Sequence, residues 1–221
     1  MIEIPTGLPA ELVPLSWLLG VWEGTGVIDY VVGEEHVTHE FGQRVSFSHD
    51  GLPYLNYSSF AWLLPTQPKA DAAEPEEGDA DAADPTPSIE TMPLTAESGY
   101  WRLSRTALEG DPGPGMLPGV GARPFTTAQS VEALRTSGGD FEVEASILHP
   151  TGVSELYLGR VAGPRIDLAT DAVLRSATAK EYSAATRMYG LVEGHLLWAW
   201  DIAALGQSIR THASARLAKV D

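Results

Sequence analysis

The chemistry open to this chain is concentrated in six histidines, an Arg-x-Tyr pair and a glycine-rich segment, because the sequence contains no cysteine. Disulfides, thiolate metal sites and cysteine nucleophiles are thereby excluded. Imidazole remains, both as a metal ligand and as an acid or base near neutral pH. His36 and His39 stand at His-x-x-His spacing in the polar run Gly33 to Glu40, which reads first as a solvated loop and only weakly as a metal pair. His195 follows Glu193-Gly194 and falls in a hairpin turn. His49 and His149 each end an alternating row and precede a turn, a place from which a side chain borders a cavity. His212 is in phase with Arg210, Ser214 and Arg216, whereas Thr211, Ala213, Ala215 and Leu217 form the more apolar set. Alternation therefore predicts that His212 faces solvent.

Two further patterns carry chemical meaning. Arg187 and Tyr189 are two residues apart on a predicted strand, so both point the same way and could jointly hold a carboxylate, as an Arg-x-Tyr pair does in lipid-carrying barrels of the fatty-acid-binding type. An ordinary strand with a salt-bridged arginine is the commoner arrangement and the first reading. The segment Gly20-Val-Trp22-Glu-Gly24-Thr-Gly26 reads GxWxGxG. Dinucleotide-binding loops need GxGxxG at the start of a helix, and no helix follows here. On a first strand these glycines instead permit bending and close backbone approach, with Trp22 plugging one end of a barrel.

The elements that must position these residues are strands. Phe41 to His49 alternates so that Phe41, Val45, Phe47 and His49 share a face; Asp50-Gly51 supplies a turn and Leu55 to Leu64 resumes the pattern. Phe141 to His149 behaves alike and is followed by Pro150-Thr151-Gly152 and Val153 to Leu158. Further strands are predicted at 165–168, 172–177, 186–191, 196–204 and 209–219. Helical signals are confined to a turn or two between Pro9 and Leu19, stopped by Gly20. Two excursions interrupt the strands. One, at about 65–92, holds eight acidic residues against Lys69 alone and almost no large apolar side chain, so it reads as a mobile loop. The other, at about 108–130, contains GDPGPGMLPGVGARP.

The length of 221 residues suits one core, and too few strands lie on either side of the excursions to close two. The expectation is a single all-β domain over 1–221, an antiparallel up-and-down barrel of about ten strands able to enclose a ligand, with a short N-terminal helical turn. A formal charge of −16 excludes nucleic acid and anionic membrane as partners. No apolar run or basic leader marks a membrane span or signal peptide, and a cytoplasmic location is expected.

Six segments in order extend the reading: Trp17-Leu-Leu-Gly-Val-Trp-Glu-Gly-Thr-Gly26, Phe47-Ser-His-Asp-Gly-Leu-Pro-Tyr54, Glu97-Ser-Gly-Tyr-Trp-Arg102, His149-Pro-Thr-Gly152, Thr178-Ala-Lys-Glu181 and Thr211-His-Ala-Ser-Ala215. Together they resemble the nitrobindin family over nearly the whole chain outside the excursions. The resemblance implies a barrel like that of fatty-acid-binding proteins holding one haem b near its open end. It implies His212 as the proximal iron ligand and Lys180 as a second haem contact near a propionate. It further implies ferric iron with its sixth position open to nitric oxide or peroxynitrite, isomerisation of peroxynitrite to nitrate, and a homodimer among the assemblies allowed. Tyr30-Val31-Val32 departs from the family's Tyr-Pro-Thr, which removes a threonine contact near the haem. The opening Met1 to Pro5 and Leu12-Val-Pro-Leu15 resemble an actinobacterial branch in which some members lack the proximal histidine; this chain has it. The alternatives are a non-catalytic carrier of a small apolar acid or lipid through Arg187 and Tyr189, and a nitrobindin-like protein that has lost haem.

Overall fold

The computed structural model describes residues 7–32, 35–65, 91–204 and 208–220. Most of the acidic excursion, residues 66–90, lies outside them. Ten strands form one closed antiparallel barrel: β1 (Gly20–Val32), β2 (Glu35–Ser48), β3 (Leu55–Leu63), β4 (Met92–Leu103), β5 (Phe141–His149), β6 (Val153–Ala162), β7 (Arg165–Arg175), β8 (Tyr182–Val192), β9 (His195–Ala204) and β10 (Arg210–Lys219). Each strand pairs with its sequence neighbours, and β10 returns to pair with β1 from Trp22↔Lys219 to Ile28↔Ala213. Closure removes the edges that an open sheet of this size would expose.

Two expectations are corrected. The run Gly33 to Glu40 is not a solvated loop among its described residues: β2 already begins at Glu35 and pairs with β1 through Val32↔Glu35. Its polarity reflects a strand that projects to the barrel rim, where both faces meet water. Residues 165–168 and 172–177 are not separate strands either; Arg165–Arg175 is continuous, with an irregularity in its pairing to β6 between Leu156 and Tyr157.

The strands alternate between two ends. At one end, a 3-10 helix, Ala10–Leu18, buries Leu12, Leu15, Trp17 and Leu18 against the barrel. Trp22 sits just inside, 2% exposed, and its indole Nε1 donates to Leu18 O at 2.7 Å. The glycines beside it let strands approach closely. A Cβ at Gly24 would lie 2.3 Å from Arg216 O, and one at Gly26 would meet Ser214 O at 2.3 Å and Phe41 Cζ at 2.5 Å. Gly20 has φ of +116°, a conformation glycine adopts without steric cost.

The second excursion closes the same end. Arg105 donates to both oxygens of Glu11, at 2.6 and 3.0 Å, and to both of Asp111, at 2.6 and 2.8 Å. That buried fork ties the N-terminal helix to the loop that follows β4. Phe125 and Val131 from the excursion join the core, and a single capped turn of helix, Ala128–Val131, carries Val131 inward. The opposite end is left to the cavity.

Candidate functional site

A cavity of about 760 Å³ opens at the end away from the helix, within the range of roughly 300–1,000 Å³ usual for small-molecule sites. Its upper wall is apolar and aromatic. Its floor is an ionic cluster drawn from five strands.

His212 reaches the cavity through a defect in the pairing of β10. Thr211 faces Asp201 and Ala213 faces Trp200, so His212 has no opposite residue on β9. The extra residue is a β-bulge, which re-aims a side chain and breaks strict alternation. His212 is therefore half-buried on the cavity wall beside Ala213, not on the solvent face that alternation predicts. The Trp200 ring meets its imidazole edge to face at 5.6 Å, and Tyr30 lies 6.3 Å away on the other side. Burial, reinforced by the nearby Arg210 charge and only partly offset by Asp29, lowers its pKa and keeps the ring neutral. Neither ring nitrogen has a hydrogen-bond partner among the described residues.

The floor is organised around Arg187. Its guanidinium donates to both oxygens of Glu97, at 2.9 and 2.8 Å, and through Nε to Tyr157 Oη at 3.0 Å. Glu155 lies 3.5 Å from the same guanidinium and accepts from Tyr157 Oη at 2.6 Å and from the Tyr182 hydroxyl. His149 Nε2 is 2.7 Å from Glu155 Oε2, and because an ionised carboxylate can only accept, Nε2 carries the hydrogen. Tyr57 donates to Glu97 at 2.6 Å. The Arg187 and Glu155 side chains are 2% and 0% exposed.

Burial alone would raise the Glu97 pKa, but the Arg187 charge and hydrogen bonds, His149 and Tyr57 together hold it at about 2. Glu155 is likewise lowered: burial opposes ionisation, and the His149 hydrogen bond, the Arg187 charge and two tyrosine hydroxyls overcome it. Burial pushes Tyr57, Tyr157 and Tyr182 up, so they remain donors. A carboxyl lowered in the folded state stabilises the fold above its unfolded pKa and loses that stabilisation as pH falls. For Glu97 the window runs from about 4.5 down to about 2, and the loss is about 3 kcal/mol. Urea unfolding at stepped pH is expected to show that fall for the native chain and a shallower one for Glu97→Gln.

The remaining candidates divide by location. Lys180, on the connection from β7 to β8, lines the mouth with Thr178 and Glu181; its carbonyl accepts from Arg175. His149, Arg187 and Tyr189 line the cavity, but the Arg-x-Tyr pair is not open to an outside carboxylate, because Glu97 fills the guanidinium fork and Tyr189 Oη stands 3.5 Å from it. His49 does not line the cavity. It sits at the turn after β2, at the helix-covered end, where its Nδ1 accepts from Gly51 N–H. His36 pairs with Asp29 on the outer rim, and His195 is the first residue of β9, directly after the turn at Glu193-Gly194 in which the sequence reading puts it. Gly20, Trp22, Gly24 and Gly26 are at the closed end and on the β1–β10 seam, in structural positions.

Glu97, Glu155 and Trp200 are lining or floor residues that pattern reasoning does not single out, and it reads His39 as part of a solvated loop or, weakly, of a metal pair, not as a cavity residue. The missing signal was the extension of known rows: Glu97 is in step with buried Trp101 and Leu103 on β4, and His39 with Phe41, Gln43 and Val45 on β2.

An antiparallel ten-stranded barrel with a largely apolar cavity, and on its wall an imidazole without a hydrogen-bond partner among the described residues, is a ligand-binding barrel. Residues 11–219 match the THAP4-like, heme-binding beta-barrel domain. The chain belongs to that family, the nitrobindins. Over its full length it is similar to proteins named peroxynitrite isomerase from Leifsonia xyli subsp. xyli, at 69% identity, and Clavibacter michiganensis subsp. michiganensis, at 62%, each match covering 100% of both chains. A relative of the same name from Paenarthrobacter aurescens is 48% identical over 99% of this chain and 98% of its own. The fold is shared with the crystal structure of Rv2717c from M. tuberculosis, with a TM-score of 0.59 and 23% identity, covering 99% of this chain and 100% of that one.

Proposed function

We propose that this chain binds one haem b in the barrel cavity through His212 and converts peroxynitrite to nitrate, with nitric oxide as a second ligand of the same centre. The observation that carries the reading is the state of His212: a half-buried neutral imidazole, delivered to the cavity by a bulge and without a protein hydrogen bond among the described residues. An imidazole so placed inside an aromatic cavity would suit a metal ligand. The names of the full-length relatives, at 62–69% identity, supply the substrate.

The donor set fits a porphyrin. The Trp200 and Tyr30 rings flank the His212 imidazole at 5.6 and 6.3 Å, and burial disfavours its protonated form. Trp200 contributes a buried Nε1 donor with no partner among the described residues, and Lys180 stands at the mouth as a cation for a propionate. When bound, ferric haem supplies a Lewis-acidic metal with one open coordination position for a small anion. The protein's own part is to hold the ring edge of His212, wall the site with apolar side chains and keep bulk water from the floor. No side chain of the cavity is needed as a general acid or base: the floor carboxylates and tyrosines are engaged with one another.

Titration of the purified chain with hemin is expected to give a Soret band that saturates at one equivalent, and the loaded protein should speed peroxynitrite loss with nitrate as product. A chain that develops no band would end this reading. The carrier alternative loses its footing because the arginine on which it depends is bound to Glu97.

A further inference from the structure

Two of the six histidines have ring nitrogens without a hydrogen-bond or ion-pair partner among the described residues, and both line the cavity. One is His212; the other is His39. The remaining four are engaged: His36 with Asp29, His49 with Gly51, His149 with Glu155, and His195 with Glu193 O and Arg216. His39 belongs to the inward row of β2 that continues through Phe41, Gln43 and Val45, all on the cavity wall. Its direction is thus set by the strand.

Tyr30 stands between the two imidazoles, 6.2 Å from His39 and 6.3 Å from His212 by ring centroid. The arc continues to Trp200, whose buried Nε1 has no partner among the described residues. On the cavity floor and around Gln43 the polar groups are consumed. Arg187, Glu97, Glu155 and His149 hold one another, and Gln43 bridges Ser59 at 2.9 Å and Trp198 Nε1 at 2.7 Å. Among the described lining residues the polar capacity left for a ligand lies on one arc across β2, β1, β10 and β9 and, at the far side of the mouth, on Thr151, Lys180 and Glu181.

Position limits what His39 can do. Ile28 on β1 pairs with His39 on one side and with Ala213, beside His212, on the other. Two strand spacings, about 10 Å, separate the two histidine-bearing strands. With His212 at the centre of a broad, flat ligand, His39, two strands away along the same wall, is placed to meet its edge. The edge groups such a ligand offers are anionic oxygens, and an imidazole N–H is a donor matched to them.

We infer that His39 is a ligand-contacting residue that donates a hydrogen bond to an anionic oxygen bound in the cavity, either a porphyrin carboxylate or an oxyanion beside it. The inference rests on the haem reading above. His39→Phe removes the donor and keeps a ring; His39→Gln restores a donor. Dissociation constants are read from Soret titrations with hemin and with hemin dimethyl ester, which lacks both carboxylates, and from nitrite titration of the loaded ferric protein. A rise of at least fivefold for hemin in His39→Phe, recovered in His39→Gln and absent with the diester, identifies the porphyrin carboxylate as the partner. Unchanged hemin binding with a fivefold weaker nitrite affinity identifies the oxyanion. If His39→Phe matches the native chain in all three titrations, His39 contacts neither and the inference is overturned while the haem reading stands. If the native chain gives no Soret band, both fall.

Discussion

His212→Ala is expected to weaken hemin binding by at least about 100-fold, since removing an outer partner of a metal ligand already costs 10–100-fold and this removes the ligand itself. The Soret band of the loaded protein should disappear or shift to that of unligated hemin. The barrel should survive, because His212 is an unpaired bulge residue whose neighbours Thr211 and Ala213 keep their places opposite β9. Added imidazole fits the space left by the side chain and should restore a band in the variant. His36→Ala, at a surface pair with Asp29, serves as the control that leaves hemin affinity unaltered. A His212→Ala chain that binds hemin as the native chain does would place the iron ligand elsewhere.

Arg187→Met is expected to destabilise the fold by about 3–5 kcal/mol, because it leaves two buried carboxylates without their shared cation. Glu97 would lose two charge-assisted hydrogen bonds and Glu155 its nearest guanidinium. The Glu97 pKa should then rise until the carboxyl takes a proton, which moves the acid limb of stability to higher pH. Combining Arg187→Met with Glu97→Gln should recover part of the loss, and the coupling in a double-mutant cycle measures the pair. The Arg187 guanidinium also lies 4.3 Å from the centre of the Trp200 ring, and the His149 ring stacks on it at 6.0 Å. Indole fluorescence should therefore change in the single variant. Urea midpoints equal to those of the native chain would show that Arg187 is dispensable to the floor.

The strand order and the barrel were legible because inward rows such as Phe141, Val143, Ala145 and Ile147 keep a strict period of two and short turns separate them. The site was legible only in part. His212 was placed on the wrong face by alternation, because a bulge is a property of two strands and the sequence of β10 alone does not record the missing opposite residue on β9. Resemblance to the family, carried by Thr211-His-Ala-Ser-Ala215, pointed to His212 where periodicity did not. Arg187 and Tyr189 were seen to share a side, yet the partner that occupies the arginine, Glu97, is 90 residues upstream on β4, and no local spacing connects them. His39 was hidden by composition. The rim of a barrel is polar on both faces, so a projecting strand looks like a loop. The second excursion was recognisable as non-strand from its glycines and prolines, whereas its closure of the barrel end depends on Arg105 reaching Glu11, 94 residues away.

The pairing of β1 with β10 has a temporal corollary. During synthesis the leading strand must wait, one side unmatched, until the final strand emerges, and contacts of such large sequence separation make for slow assembly. The bulge histidine arrives on that same final strand. Under the haem reading proposed above, ligation by His212 therefore belongs to the period after translation of the tenth strand.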